Sequence, residues 1–270
     1  MKKIILLLTT LSLMACSTDD GSDAVSNVDY FPLKTGNNWT YQNEVMSSNG
    51  TTDQSTETLS VSSVSMQGGQ NIYQLESDLN QPTLSFTNII TNGDLRKNNG
   101  QLIFNGTLSL DLNTLAGQQL NLDPINIEVS NAILYDSGAN SGANLFTKTE
   151  QFTQNITVQG TEVPLNINYT LETTQEEFLM AYSVNDVEYN DVISSSIRLN
   201  VEASFDVFVS IPIIDNQEVL KSTNYFAADT GLIFSDNLYS ISTNAVEEFQ
   251  IPEMNTTVES NQKLQSLELP

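Results

Sequence analysis

Apolar and polar residues alternate along most of this chain, and the period is two. From Ile193 to Ile213 the odd positions read Ile193, Ser195, Ile197, Leu199, Val201, Ala203, Phe205, Val207, Val209, Ile211 and Ile213. The even positions from Ser194 to Asp206 are all polar. A strand with one buried face and one wet face gives this pattern. Drawn straight, it would reach roughly 60–70 Å at about 3.3 Å per residue. It must therefore bend, coil or break, and Pro212 is the expected end of its ladder. Long curved antiparallel strands suit a half-barrel better than a small sandwich.

Other segments repeat the alternation. Phe104, Leu108, Leu110 and Leu112 share a face, Leu120 and Leu122 precede Asp123-Pro124, and Ile125, Ile127 and Val129 resume beyond it. Ile156 and Val158 run to a turn at Gln159-Gly160-Thr161, and Val163, Leu165, Ile167, Tyr169 and Leu171 alternate back, which predicts a hairpin. Thr56 to Met66, Gly68-Gly69 and Ile72 to Leu75 predict another. Asn92-Gly93 and Asn98-Asn99-Gly100 mark turns on either side of Asp94 to Lys97. Gln175 to Tyr182 is the one stretch with two turns of helical character, and Asp136 to Asn144 reads as a loop. The fold class expected is mostly β: a single curved antiparallel sheet, or half-barrel, with little helix.

Composition narrows the chemistry. The chain of 270 residues carries 9 basic and 33 acidic residues, a formal net charge of −24. Such a surface repels a phosphate backbone, so nucleic acid is not an expected partner. Histidine is absent and Cys16 is the sole cysteine. Serine–histidine and cysteine–histidine mechanisms are thereby excluded, as are the usual nitrogen and thiolate metal sites. No cofactor, metal site or catalytic residue is expected, and the chain is read as a non-enzyme.

The setting of Cys16 is informative. Lys2 and Lys3 precede an apolar run from Ile4 to Leu8 with Leu11 and Leu13, then Ala15 and Cys16. That order is an export signal, and Leu13-Met14-Ala15-Cys16 resembles a lipobox. The expectation is a signal peptide at 1–15, lipidation of Cys16, and a membrane anchor of more than one acyl chain, which holds where a single chain does not. Residues 16–28, with Asp19, Asp20 and Asp23, read as a flexible acidic tether, and 29–270 as one β-rich domain. An acidic pair just after the lipid cysteine resembles the surface-export signal of Bacteroidota lipoproteins, which implies an outer-membrane, surface-facing location.

The stretch Tyr30-Phe31-Pro32-Leu33-Lys34-Thr35-Gly36-Asn37-Asn38-Trp39-Thr40-Tyr41 is the most distinctive, followed by Tyr225-Phe226-Ala227-Ala228-Asp229-Thr230-Gly231-Leu232-Ile233. Together with Asp191-Val192-Ile193 and the closing Asn261 to Ser266, they resemble a group of Bacteroidota lipoproteins that is distantly similar to the half-barrel carriers such as LolA. The resemblance implies a curved sheet with a concave face; it does not imply lipoprotein transport. Phe234 stands where that group carries a basic residue.

Several residues could carry function. Trp39 and Tyr41, on one face of the first strand, could form a stacking platform for a sugar or an apolar ligand, with Tyr225 and Phe226 lining it; large aromatics also dominate cores, and a packed first strand is the plainer reading. Asn185, Asp186, Glu188, Asn190 and Asp191 form an oxygen-rich cluster without the loop signature of a calcium site. Glu172, Glu176 and Glu177 could supply paired carboxylates to a glycoside hydrolase, though no motif singles them out. The expected function is a lipid-anchored binder of an apolar or amphipathic ligand or a partner protein. A glycan-binding protein of polysaccharide uptake is the alternative, and a carboxylate-dependent hydrolase a further one.

Overall fold

In the computed structural model, residues 28–79, 85–110, 124–158, 161–206, 209–247 and 251–269 are described. The segment read as an export signal, Cys16 and nearly all of the residues read as a tether lie outside them, as do Leu112, Leu120, Leu122, Gln159-Gly160 and Val207.

One antiparallel sheet makes the body. Its strands in chain order are β1 (Asn38–Ser47), β2 (Thr52–Gln67), β3 (Gln70–Ser77), β4 (Gly93–Asn98), β5 (Gln101–Leu110), β6 (Ile125–Asp136), β7 (Asn144–Val158), β8 (Thr161–Val184), β9 (Val187–Asp206), β10 (Ser210–Ala227), β11 (Gly231–Thr243) and β12 (Met254–Glu268). In space they run β6-β5-β4-β3-β2-β1-β12-β11-β10-β9-β8-β7. Strands adjacent in sequence pair with each other except β6 and β7, and β1 pairs with β12, so the first and last strands lie mid-sheet. The two edges, β6 and β7, are joined by the loop after Asp136 and curl toward each other. The half-barrel expected from the alternation is thus a nearly closed barrel, which removes most of the exposed edge.

Along this seam β6 and the loop after it are bonded to β8, and β6 to β7, outside a regular ladder. Thr173 Oγ1 donates to the Ile133 carbonyl at 2.6 Å, and the Asp136 amide donates to Gln175 Oε1 at 2.9 Å. Gly142 donates its amide to the Gln175 carbonyl and Gln175 its own to the Ala143 carbonyl. Lys148 Nζ crosses to the Glu128 carbonyl at 2.6 Å.

Three expectations change. The run from Ile193 to Ile213 breaks, one of the outcomes its length allowed, but not at Pro212: β9 ends at Asp206 and β10 begins at Ser210, with Ser210 facing Asp206. Pro212 therefore does not end a ladder but sits near the start of β10. There it is tolerated at a register shift, where β10 is laddered to β9 but not yet to β11. Gln175 to Tyr182 is strand, not helix. Tertiary pairing with β9 wins over local preference, and a register shift between Gln175 and Phe178 absorbs Glu176 and Glu177. Among the described residues an α-helix forms at α1 (Phe86–Thr91), which was not expected. Its residues Phe86, Thr87, Ile89 and Ile90 are buried. Ser85 caps it by accepting from the Asn88 amide at 3.2 Å.

α1 occupies the concave side of the sheet. Phe86 packs on Phe226 of β10 with ring centroids 5.6 Å apart, and Thr87 reaches Gln262 of β12. Residues Tyr30 and Phe31 cross the same end as a strap. Lys97 of β4 holds that strap through an ion pair to Asp29 and a bond to the Phe31 carbonyl. The Asp29 carbonyl in turn accepts from the Asp229 amide at 2.8 Å.

Candidate functional site

The two motifs from opposite ends of the chain meet at this end of the barrel. Phe31 lies 5.0 Å from Trp39 and 6.1 Å from Phe226, and Tyr135 lies 4.9 Å from Phe226, centroid to centroid. Trp39 Nε1 donates to the Thr230 carbonyl at 2.7 Å, and the Tyr41 hydroxyl to the Leu232 carbonyl at 3.1 Å. Gly231 has φ of +106°, and a Cβ there would stand 2.7 Å from the Phe31 ring and 2.8 Å from Trp39 Nε1. Glycine is needed for both the backbone and the space. Trp39, Tyr41 and Phe226 are fully buried. Their rings and polar groups are spent on the protein itself, leaving no face for a ligand, so the platform reading of these three does not describe where they sit. Burial also pushes the Tyr41 and Tyr135 phenols well above the usual tyrosine range.

Tyr225 differs. It follows the buried Asn224 on β10 and points to the outer face, half-buried. There it stacks on Tyr182 of β8 at 4.4 Å with the rings 17° apart, and stands 5.7 Å from Phe234 of β11. Tyr182 also lies over Phe234 at 6.1 Å. The three rings meet because the far ends of β8 and β9 form an arm that folds back over the sheet. Its tip, Asn185-Asp186, is a two-residue turn with φ of +51° and +64°, the geometry of a tight hairpin. The oxygen-rich cluster flagged in the sequence is thus this turn and its flanks. Asn185 Nδ2 reaches the Leu264 carbonyl of β12 at 3.4 Å.

Beside the rings lies a cleft of about 200 Å³ lined by Tyr182, Ser183, Val184, Asn185, Phe234 and Lys263. Acidic groups stand near its tyrosines. Burial raises the Tyr225 phenol, with the negative charge of Glu177 and Asp236 adding to it. Burial likewise raises Tyr182, with Tyr225 and Asp236 contributing. The site therefore combines flat apolar rings with carboxylates, an amide and one ammonium. Phe234, where the resembling group carries a basic residue, is one of its walls.

The carboxylates suggested for hydrolysis have other duties. Glu176 accepts from Ser196 Oγ and from Arg198, which also lies 3.9 Å from Glu218. Glu172 faces Arg198 across the β8–β9 pair. A second opening, of about 550 Å³, lies at the strap between Asp29, Tyr30, Lys97, Gln101, Tyr135 and Gly138.

No family model matches this chain, and no curated protein is significantly similar to it. Among solved structures it is similar to a candidate lipoprotein of Parabacteroides distasonis, at 9% identity and a TM-score of 0.35 over 89% of this chain and 99% of that one. It is also similar to a candidate exported protein with a YmcC-like fold from Bacteroides fragilis, at 8% identity and a TM-score of 0.33 over 90% and 100%. At TM-scores this low the likeness extends to neither site nor activity.

Proposed function

We propose that this protein is a non-catalytic, lipid-anchored protein of the outer membrane that binds an amphipathic ligand of the carbohydrate class on the outer face of its barrel. The anchor is Cys16 and the site is Tyr182, Tyr225 and Phe234. The observation that carries the reading is the half-buried ring stack beside a cleft that also offers Lys263, Asn185 and nearby carboxylates. A pyranose ring has an apolar face that stacks on aromatics and a rim of hydroxyls that need donors and acceptors. The concave face, where a carrier would hold an acyl chain, is occupied by α1, Phe31 and Phe226, which favours the outer site over an internal lipid.

Glycan-array binding by the full-length protein tests this. Tyr225→Ala and Tyr182→Ala are expected to lower binding at least tenfold while the melting temperature changes little. Wild-type protein that captures no glycan overturns the reading, as does binding indifferent to both substitutions.

A further inference from the structure

A second site lies inside the wall, at the junction of α1, β1, β2 and β12. Strand register places Asn43, Gln262, Ser235, Asn224, Ser195 and Gln175 in one row across six adjacent strands, from β1 to β8. All six side chains are buried. At the β1 end of this row stands Glu57, only 1% exposed. Glu57 Oε1 accepts from Ser77 Oγ at 2.7 Å, and Oε2 accepts from Asn43 Nδ2 and Gln262 Nε2, each at 2.8 Å. Gln262 Nε2 also touches Thr87 Oγ1 at 2.9 Å. Among the described residues, none of the ion pairs involves Glu57.

The amides leave a debt. Asn43 Oδ1 and Gln262 Oε1 are buried without a hydrogen-bond partner, and so is Ser260 Oγ beside them. A buried carboxylate without a counter-charge and orphaned amide oxygens within one amide's width of it are each unfavourable. One occupant relieves both. Half a turn of each amide brings its oxygen toward Glu57. Beside a bare carboxylate this is repulsive, but with a cation between them it becomes favourable. The resulting set is one carboxylate, two amide oxygens and the Thr87 and Ser77 hydroxyls, all hard oxygen ligands. A way in exists: a cleft of about 250 Å³, lined by Glu57, Ser77, Glu76, Asn88 and Thr91 among others, ends on Glu57. Among the described residues it brings a second carboxylate and no basic residue.

We propose that the Glu57 cluster binds a small hard cation, supplied as a metal ion or as the ammonium group of a small amine. The cation is held by Glu57, Asn43 Oδ1, Gln262 Oε1, Thr87 Oγ1 and Ser77 Oγ. It neutralises the buried charge and locks α1 to β1, β2 and β12.

Melting of the full-length protein in choline chloride, compared at matched ionic strength with calcium chloride, sodium chloride and methylammonium chloride, tests this. A saturable rise of about 5–10 °C at a hundredfold excess over Kd is expected with at least one of the three, and none of it in Glu57→Gln. A rise with a metal salt identifies an ion, and a rise with methylammonium alone identifies an amine. No rise in the wild type overturns the proposal, as does a rise of equal size in Glu57→Gln, which would mark diffuse binding to the acidic surface. Should Glu57→Gln fail to fold, Thr87→Val and Ser77→Ala take its place. Each removes one ligand oxygen and is expected to weaken the apparent affinity about tenfold; unchanged affinity in both overturns the proposal.

Discussion

Two neighbouring layers of the barrel interior solve the same problem in opposite ways. At the strap end, Phe31, Trp39, Phe86, Tyr135 and Phe226 interlock as an aromatic seal. Next to it, the row from Asn43 to Gln175 fills the wall with amides and hydroxyls. Burial of rings is stabilising by area alone, so the seal gains from every contact. Burial of amides breaks even only when each group is bonded, so the row gains little and is constrained throughout. The lesson is that stability and specificity reside in different layers. The seal fixes the fold, whereas the polar row fixes which strands pair and what can be accommodated beside them.

The largest effect is expected in the seal. Trp39→Ala removes a fully buried ring and its bond to Thr230, a loss of about 3–5 kcal/mol. Gly231→Ala should be comparably damaging, because its Cβ would meet Phe31 and Trp39 at a positive φ. Denaturant titration of both variants measures this. A Trp39→Ala protein of wild-type stability would break the distinction between the two layers.

Alkali should attack the seal next. The Tyr41 and Tyr135 phenols are raised by burial, as is that of Tyr239 further down the barrel. A phenol whose folded pKa lies above its unfolded value contributes stability that is intact below the unfolded pKa of about 10 and is lost as pH climbs from there toward the folded value. Stability should therefore hold to about pH 10 and fall as pH climbs beyond it. Chemical denaturation between pH 8 and 12 reads it, and a flat profile would show that these hydroxyls meet water.

A smaller and more diagnostic effect belongs to the polar row. Ser222, in the adjoining layer, donates to Asn224 Oδ1 at 3.2 Å, both fully buried. Asn224→Leu alone strands the Ser222 hydroxyl and should cost about 1–3 kcal/mol, whereas Asn224→Leu with Ser222→Ala removes both partners and should recover most of that loss. Stability of the two variants, measured side by side, sharpens the comparison: no recovery in the double variant would mean that the row stabilises through packing and not through pairing.

Much of the fold was legible because exposure and period agree, except from Val192 to Ile197, where the even positions Ser194 and Ser196 are buried as well. The buried odd positions of β9 from Ile193 to Phe205 and the hairpin pairing of Ile156 with Val163 follow from alternation alone. Two features were not legible for identifiable reasons. Helix α1 is six residues rich in threonine and isoleucine, which by propensity belong in a strand; only the surrounding barrel makes it helical. The polar row was half visible, since Ser195 sits among apolar odd positions, but its meaning depends on register with Asn224, Ser235 and Gln262, which no single strand contains. The candidate site was legible in one residue of the four aromatics singled out. Tyr225 faces out and the other three face in, and its partner Tyr182 lies on a segment whose helical character hid the β8–β9 arm.

The smallest expected effect tests whether charge on the outer face belongs to the fold or to the ligand. Lys263 stands 3.9 Å from Glu44, with both side chains more than a third exposed. An ion pair this open and this long is screened by water and salt and contributes about 0–1 kcal/mol. Lys263 also lines the cleft beside Phe234 and Tyr182. Lys263→Ala should thus leave the melting temperature within about 2 °C of wild type yet weaken glycan binding measurably, because the cleft loses its one ammonium donor. If the substitution instead lowers stability and leaves binding unchanged, Lys263 serves the β1–β12 pair, and the ligand site lies elsewhere on the barrel.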